Sequence, residues 1–282
     1  MNHAAHPVTV QLPGGYQYDG RRCREAELRA VNGHDEAFLQ QAAGMLSPAA
    51  LTTALLARCV QRVGPCDDVN PQVVRSLSVG DREALLLHLR NLTLGRSMSC
   101  VVQCPAGDCG AKLDATVDIQ DLLLGPYADF PAVHEAKLRQ DGEECQVRFR
   151  LPTGADQEEV AEQGHTDPQA AAEMLVERCL ETTQVLSPGL QAQLSRVMAQ
   201  LDPQAEIELQ LTCPDCGAEF SALLDAGTFL VQELTGNDDL LHREMHLLAL
   251  CYHWSPADIL AMPSPDRRRC VDILDEALAE EA

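Results

Sequence analysis

Apolar residues in this chain follow two rhythms, short runs that alternate and longer runs that repeat every three or four positions, and these separate strands from helices. Val8-Thr9-Val10-Gln11-Leu12 alternates, Pro13-Gly14-Gly15 interrupts it, and Asp19-Gly20 is a two-residue turn leading into Cys23 to Leu28. Residues 7 to 32 therefore read as an arm or hairpin, one that adds a strand to a neighbour's sheet or folds back on its own core. From His34 to Leu94 the pattern is helical. Ser47-Pro48 caps a helix carrying Leu51, Leu55, Leu56, Cys59 and Val60, and Gly80-Asp81 opens another carrying Leu85, Leu86, Leu89 and Leu92, stopped by Gly95. A strand pair is expected at Val133 to Arg139 and Cys145 to Leu151, joined by Asp141-Gly142. The last sixty residues read as three helices, begun at Asp225, at Asp238-Asp239 and at Ser255-Pro256-Ala257-Asp258.

Two cysteine knuckles stand out against these elements. Cys104-Pro-Ala-Gly-Asp-Cys109-Gly110 and Cys213-Pro-Asp-Cys216-Gly217 each lie between strand-like runs, Val101 to Gln103 and Lys112 to Val117 for the first, Ile207 to Leu211 and Glu219 to Leu224 for the second. Each opens Cys-Pro and closes Cys-Gly, so proline stiffens the turn and glycine supplies the positive φ that aims amides at sulfur. Two such turns present four thiolates, the donor set of a closed structural zinc site, and leave no open position for catalysis. The expected ligands are Cys104, Cys109, Cys213 and Cys216, holding one zinc per chain whose chelation unfolds the protein. Cys100, four residues before Cys104, is an alternative ligand. The bland alternative is two hairpin turns that carry free thiols.

The knuckles are parts of a longer likeness within the chain. Leu55-Leu56-Ala57-Arg58-Cys59-Val60 parallels Leu175-Val176-Glu177-Arg178-Cys179-Leu180, and Leu85 to Leu94 parallels Leu194 to Leu201, each leading through a strand into a knuckle. The expected fold is α+β and mainly helical, a duplicated helix-helix-strand-knuckle-strand unit with a shared zinc-ribbon-like site and an N-terminal β-arm. Its expected divisions are an arm at 1–33, a first unit at 34–151, a second at 152–224 and a helical segment at 225–282. A pseudo-twofold would place the metal between the units.

Composition narrows the function. The chain has 282 residues, enough for one large or two modest cores. Lys plus Arg is 21 against 43 Asp plus Glu, a formal charge of −22, which repels phosphate backbones and makes nucleic acid an improbable partner. Arg21-Arg22-Cys23-Arg24 and Arg267-Arg268-Arg269 read as salt-bridged or solvated faces rather than binding patches. The N-terminus has no basic region followed by an apolar stretch, and no apolar run reaches the ~20 residues of a membrane span. Eight cysteines outside the knuckles are scattered singly, which fits buried thiols in a reducing cytoplasm rather than a disulfide framework.

Catalytic patterns are missing: no nucleophile elbow, no Walker loop, no GxGxxG after a strand. His242 and His246 are spaced as a metal pair, but Glu244 does not directly follow the first histidine as in HExxH, so the expected arrangement is one histidine toward the core and one toward a carboxylate. Asp156, Glu158 and Glu159 open a helix, where they favour its dipole without chemistry. The chain is not expected to be an enzyme.

Several strings resemble a known family. Leu12-Pro13-Gly14-Gly15-Tyr16 with Tyr18-Asp19-Gly20-Arg21-Arg22, Val79-Gly80-Asp81-Arg82-Glu83 followed by Leu85-Leu86-Leu87, the knuckles, Tyr252-His253-Trp254-Ser255 and Ile259 to Pro263 resemble the baseplate hub and hub-assembly proteins of contractile-tailed, T-even-like bacteriophages. The resemblance implies a non-enzymatic part in building a contractile tail baseplate, of a phage or a tail-derived injection system. Its implied partners are hub, spike, wedge or other baseplate proteins, with no nucleic acid, membrane or small-molecule substrate. It implies cytoplasmic assembly, with the finished particle as a further location. The rival reading is a zinc-ribbon module for nucleic acid or transcription, which would need a basic stripe beside the knuckles.

Overall fold

The computed structural model describes residues 7–140, 143–182, 185–236 and 239–280, with only the backbone for 162–166. The expected Asp141-Gly142 turn, Asp238 and the first six residues lie outside the described residues. Strands β1 (Val8–Tyr18) and β2 (Arg21–Leu28) form the predicted hairpin, with Asp19 and Gly20 both at positive φ in the turn. It folds back on its own core: Leu12 and Leu28 are fully buried, and β3 (Val60–Val63) pairs with β2 to complete a three-stranded sheet. Against that sheet pack α1 (Gly33–Ala42), α2 (Pro48–Cys59), α3 (Pro71–Ser76) and α4 (Val79–Leu94). Ser47 caps α2 as predicted, accepting the Ala50 amide; α4 begins just before the expected Gly80-Asp81, with Ser78 accepting the Asp81 amide, and Gly95 ends it at φ 88°.

The first knuckle joins β4 (Ser97–Gln103) to β5 (Lys112–Asp118), followed by the single turn α5 (Ile119–Leu122). A second hairpin, β6 (His134–Gln140) with β7 (Glu143–Phe149), precedes α6 (Gly154–Thr166), α7 (Pro168–Cys179) and α8 (Pro188–Leu201). The second knuckle joins β8 (Ile207–Thr212) to β9 (Glu219–Leu224). Helices α9 (Ala226–Thr235), α10 (Leu240–Tyr252), α11 (Pro256–Ala261) and α12 (Ser264–Glu280) complete the chain. The fold is thus mixed helix and strand.

Two large cores result. One gathers the first sheet, α1, α2 and α4, and takes in Leu230 and Leu234 of α9; the other gathers Phe130, Val147 and Phe149 with Val176, Leu190 and Leu194. Each holds the same buried ionic arrangement at the base of its hairpin. In the first, Asp35 accepts from Arg29 at 2.6 Å and from Arg58 at 2.8 Å, and the Arg29 amide donates to the Cys59 carbonyl at 3.0 Å. In the second, Asp156 accepts from Arg150 at 2.6 Å and from Arg178 at 3.2 Å, and the Arg150 amide donates to the Cys179 carbonyl at 2.9 Å. Asp156 is therefore more than a helix-opening acid: it is 1% exposed at its side chain and held to about 2, because its hydrogen bonds from Arg150 and Thr153 outweigh the upward push of burial.

The C-terminal helices are fastened by a buried cluster. Arg267 of α12 donates to Glu244 of α10 at 2.6 Å and also to Glu36 of α1, which accepts from Ser264 at 2.6 Å. Arg268 approaches both carboxylates at 3.9 and 4.0 Å. Two buried carboxylates thus face one buried guanidinium, Arg267, and one half-buried, Arg268.

Candidate metal centre and the latch beneath it

The two knuckles meet. Cys104 Sγ lies 3.7 Å from Cys216 Sγ, Cys109 Sγ lies 3.7 Å from Cys213 Sγ, and all four sulfurs fall within 4.8 Å of one another. A tetrahedron with Zn–S bonds of about 2.3 Å has edges of about 3.8 Å, whereas a disulfide would need about 2.05 Å. The spacing fits a four-coordinate ion and excludes a bonded sulfur pair among these contacts. Each knuckle is shaped by its own backbone: the Cys104 amide donates to the Ala111 carbonyl at 2.8 Å, the Cys213 amide to Ala218 at 2.9 Å, and Gly110 and Gly217 take φ 61° and 74°. Those angles are why glycine follows the second cysteine of each turn.

The electrostatics point the same way. Backbone amides, first that of Cys216 and then that of Asp215, draw the Cys213 thiol down to about 7 against the upward push of burial. Cys109 receives the Ala111 amide, yet burial and the facing Cys216 and Cys213 thiols push it up to about 12. Four sulfurs this close cannot all ionise alone; a dication at their centre reverses that. Cys104 and Cys213 are buried, Cys109 is half-buried and Cys216 exposed, with Leu113 and Phe220 packed alongside.

Cys100 does not join them. It sits within β4 opposite Ala115, and the cluster is complete without it. His242 and His246 are both exposed, so neither faces the core; that helix buries Leu241, Leu248 and, between the histidines, Glu244, which is engaged with Arg267. Among the described residues the four cysteines are the one grouping of three or more ligand side chains. Cys59 and Cys179 are buried as expected, while Cys251 is exposed.

Sequence reasoning missed a second construction, built on the start of α4. The Gly14 amide donates to Asp81 at 2.8 Å and that of Gly15 at 3.0 Å, where β1 shifts register. A side chain at Gly14 would meet the Phe130 ring at 2.6 Å, and Gly15 has φ 90°. One residue earlier on α4, the Gly80 amide donates to Asp202 at 3.0 Å, and Asp202 also accepts from Tyr127 at 2.8 Å. The next acid, Glu83, accepts the Ala226 amide at the start of α9 at 3.1 Å. Leu12 to Tyr16 and Val79 to Glu83 are thus two sides of one contact. Burial pushes Asp81 up to about 6 and Glu83 up to about 8, and raises Asp202 as well.

A family model described as T4 bacteriophage base plate protein matches residues 7–231. The chain belongs to that family. The match spans β1 through most of α9, so both knuckles and the latch lie inside it, while α10–α12 lie beyond. No curated protein and no solved structure matches. Membership supports a structural phage baseplate role, suggests contacts with other baseplate proteins and suggests a non-enzymatic part. Among the described residues no helix is long and apolar enough to cross a membrane.

Proposed function

We propose that this protein is a zinc-stiffened structural or assembly component of the baseplate hub, in a phage or a tail-derived injection system. The observation that carries the metal is the tetrahedral spacing of Cys104, Cys109, Cys213 and Cys216, drawn from two hairpins more than a hundred residues apart. With no open coordination position, the ion would serve as a clasp and not as a Lewis acid. The protein would act in the cytoplasm during assembly, and its net charge of −22 would steer it to basic hub, spike or wedge surfaces.

We further propose that the body is a duplicated unit, arm or hairpin, helices, knuckle, with the ion shared between copies. The recurrent arrangement supports this: Arg29, Asp35, Arg58 and Cys59 correspond to Arg150, Asp156, Arg178 and Cys179 at offsets of 121, 121, 120 and 120. The bridges Leu28 to Val60 and Phe149 to Leu180 correspond as well, and the helix caps Asp118 and Asp225 each follow a knuckle hairpin. The first division after the arm would then fall nearer residue 127 than 151, since β6 and β7 pack in the second core.

Metal analysis of purified protein is the test. One zinc per chain is expected, lost on Cys216→Ser with little change in the rest of the fold. Two zincs, or none in protein purified without chelator, would overturn the shared site. The hub assignment is tested separately, by recovering hub, spike or wedge proteins on co-expression. The cations near the first knuckle form no basic stripe: Arg96 is paired with Asp118 at 2.6 Å, and Lys112 stands exposed at the start of β5.

A further inference from the structure

The helices outside the family match carry a concentration of exposed apolar surface. Six of the fourteen large apolar residues exposed among those described, including Leu250, Tyr252, Trp254, Ile273 and Leu278, fall in α10–α12. Every residue from Leu250 to Asp258 is exposed. At the centre of this corner Tyr252 and Trp254 stack with ring centroids 4.9 Å apart at 24°. Between them His253 holds φ 56°, a left-handed conformation that glycine would take with less strain and that keeps the two rings on one side of the turn. The corner is also mounted firmly, because Arg267 locks α12 to α10 and α1 below it. A stacked aromatic pair held out on a rigid base loses little freedom when it is covered, which is the character of an interface anchor.

Charge decides what covers it. A second copy would bring the same −22 to the contact. Within residues 239–280 the exposed carboxylates outnumber the exposed guanidinium groups seven to two, Arg243 and Arg269 being the two. Self-association is opposed by that field, and an oppositely charged surface is drawn to it. We propose that the Leu250–Asp258 corner docks into an apolar pocket rimmed by arginine and lysine on another baseplate protein. The inference rests on the baseplate reading above and names the surface that serves it.

Trp254 is the chain's one tryptophan, so once the emission of each partner measured alone is subtracted, the signal from this chain comes from this corner. The probes are the separately purified baseplate proteins of the same particle, each titrated singly against the full chain. A protein of net positive charge should bind, shift the emission to the blue and shield Trp254 from acrylamide. Tyr252→Ala and Trp254→Ala, followed by calorimetry, should each weaken that complex by about tenfold or more, as expected of anchor residues. Met45→Ala, which trims another exposed apolar side chain, should leave it unchanged. Binding that survives both corner substitutions at full strength overturns the inference and leaves the baseplate role standing. An emission shift with concentration of the protein alone, or capture of the corner by a negatively charged protein, overturns it too. If none of the particle's baseplate proteins binds at all, the corner and the baseplate reading fall together.

Discussion

Glu83→Gln is predicted to make the protein more stable at alkaline pH. Glu83 is buried at the start of α4, where it accepts the Ala226 amide and faces Asp225. Burial first, then Asp225, pushes it up to about 8 from a usual 4.5, with Arg82 too weak a counterweight. A raised native value means that the folded state binds the proton more tightly than the unfolded state does. Stability from this group is therefore full at low pH and declines as pH rises from about 4.5 to about 8. The difference of 3.5, at about 1.4 kcal/mol each, sets a ceiling of about 5 kcal/mol. Glutamine keeps the acceptor for Ala226 and cannot ionise. Urea unfolding at pH 5, 7 and 9, with metal-loaded protein throughout, should show nearly equal stability at pH 5 and a gain for the variant of about 2 kcal/mol or more at pH 9. Asp81, pushed up to about 6, contributes a similar slope to both proteins and cancels in the comparison. Parallel curves for the two proteins across that range would refute the reasoning.

Two further substitutions test other joints. Gly80→Ala would set a Cβ 1.9 Å from Asp202 Oδ1, so Asp202 must move and lose its bonds from Gly80 and Tyr127; a loss of about 3–5 kcal/mol is expected, read as a fall in Tm of about 10 °C. Arg267→Ala leaves Glu36 and Glu244 buried with only the more distant Arg268, and should cost about 3–5 kcal/mol in urea unfolding, whereas an effect below about 1 kcal/mol would show that the acids take up water or protons instead.

How much of this was legible follows from whether a signal is local. The caps at Ser47 and Ser255, the turn at Asp19-Gly20 and the stop at Gly95 depend on neighbours within four residues, and each is found where the sequence puts it. The knuckles were legible because four thiols in two matching frames have few other uses. The latch was not. Asp81 resembles an ordinary acid in a first helical turn, and only packing shows that it spends its lone pairs on Gly14 and Gly15, 67 and 66 residues away. Asp156 misleads in the same way, with two guanidinium groups supplied from outside its helix. On α10 the spacing of His242 and His246 drew notice, although the buried position between them is Glu244, which signals nothing until Arg267 is seen beside it. Spacing tells which residues share a face; it does not tell whether that face is covered.

The distribution of cores also changes what chelation should do. The two large clusters are rich in Leu and Val and contain none of the four knuckle cysteines, whereas the buried members around the sulfurs are Cys104, Leu113 and Cys213 alone. Two-stranded hairpins such as β4–β5 and β8–β9 are marginal by themselves; Met98 and Ile207 hold their bases in the first core, but so small a cluster cannot hold their knuckle ends together against the entropy of ordering them. A metal would thus be needed at the knuckles and not in the body. The sequence leads to the expectation that the whole chain unfolds on chelation; the cores predict a narrower outcome, in which amide protection collapses at the knuckle ends of the hairpins, from about residue 101 to 115 and from about 210 to 221, while α4 and α8 stay protected. The latch explains why the body survives: the Gly80 amide on Asp202 joins its two halves and needs no ion, while Asp81 and Glu83 tie β1 and α9 to α4 within the first core. Loss of protection in α4 and α8 together with the hairpins would mean that the clasp, and not the latch, joins the halves.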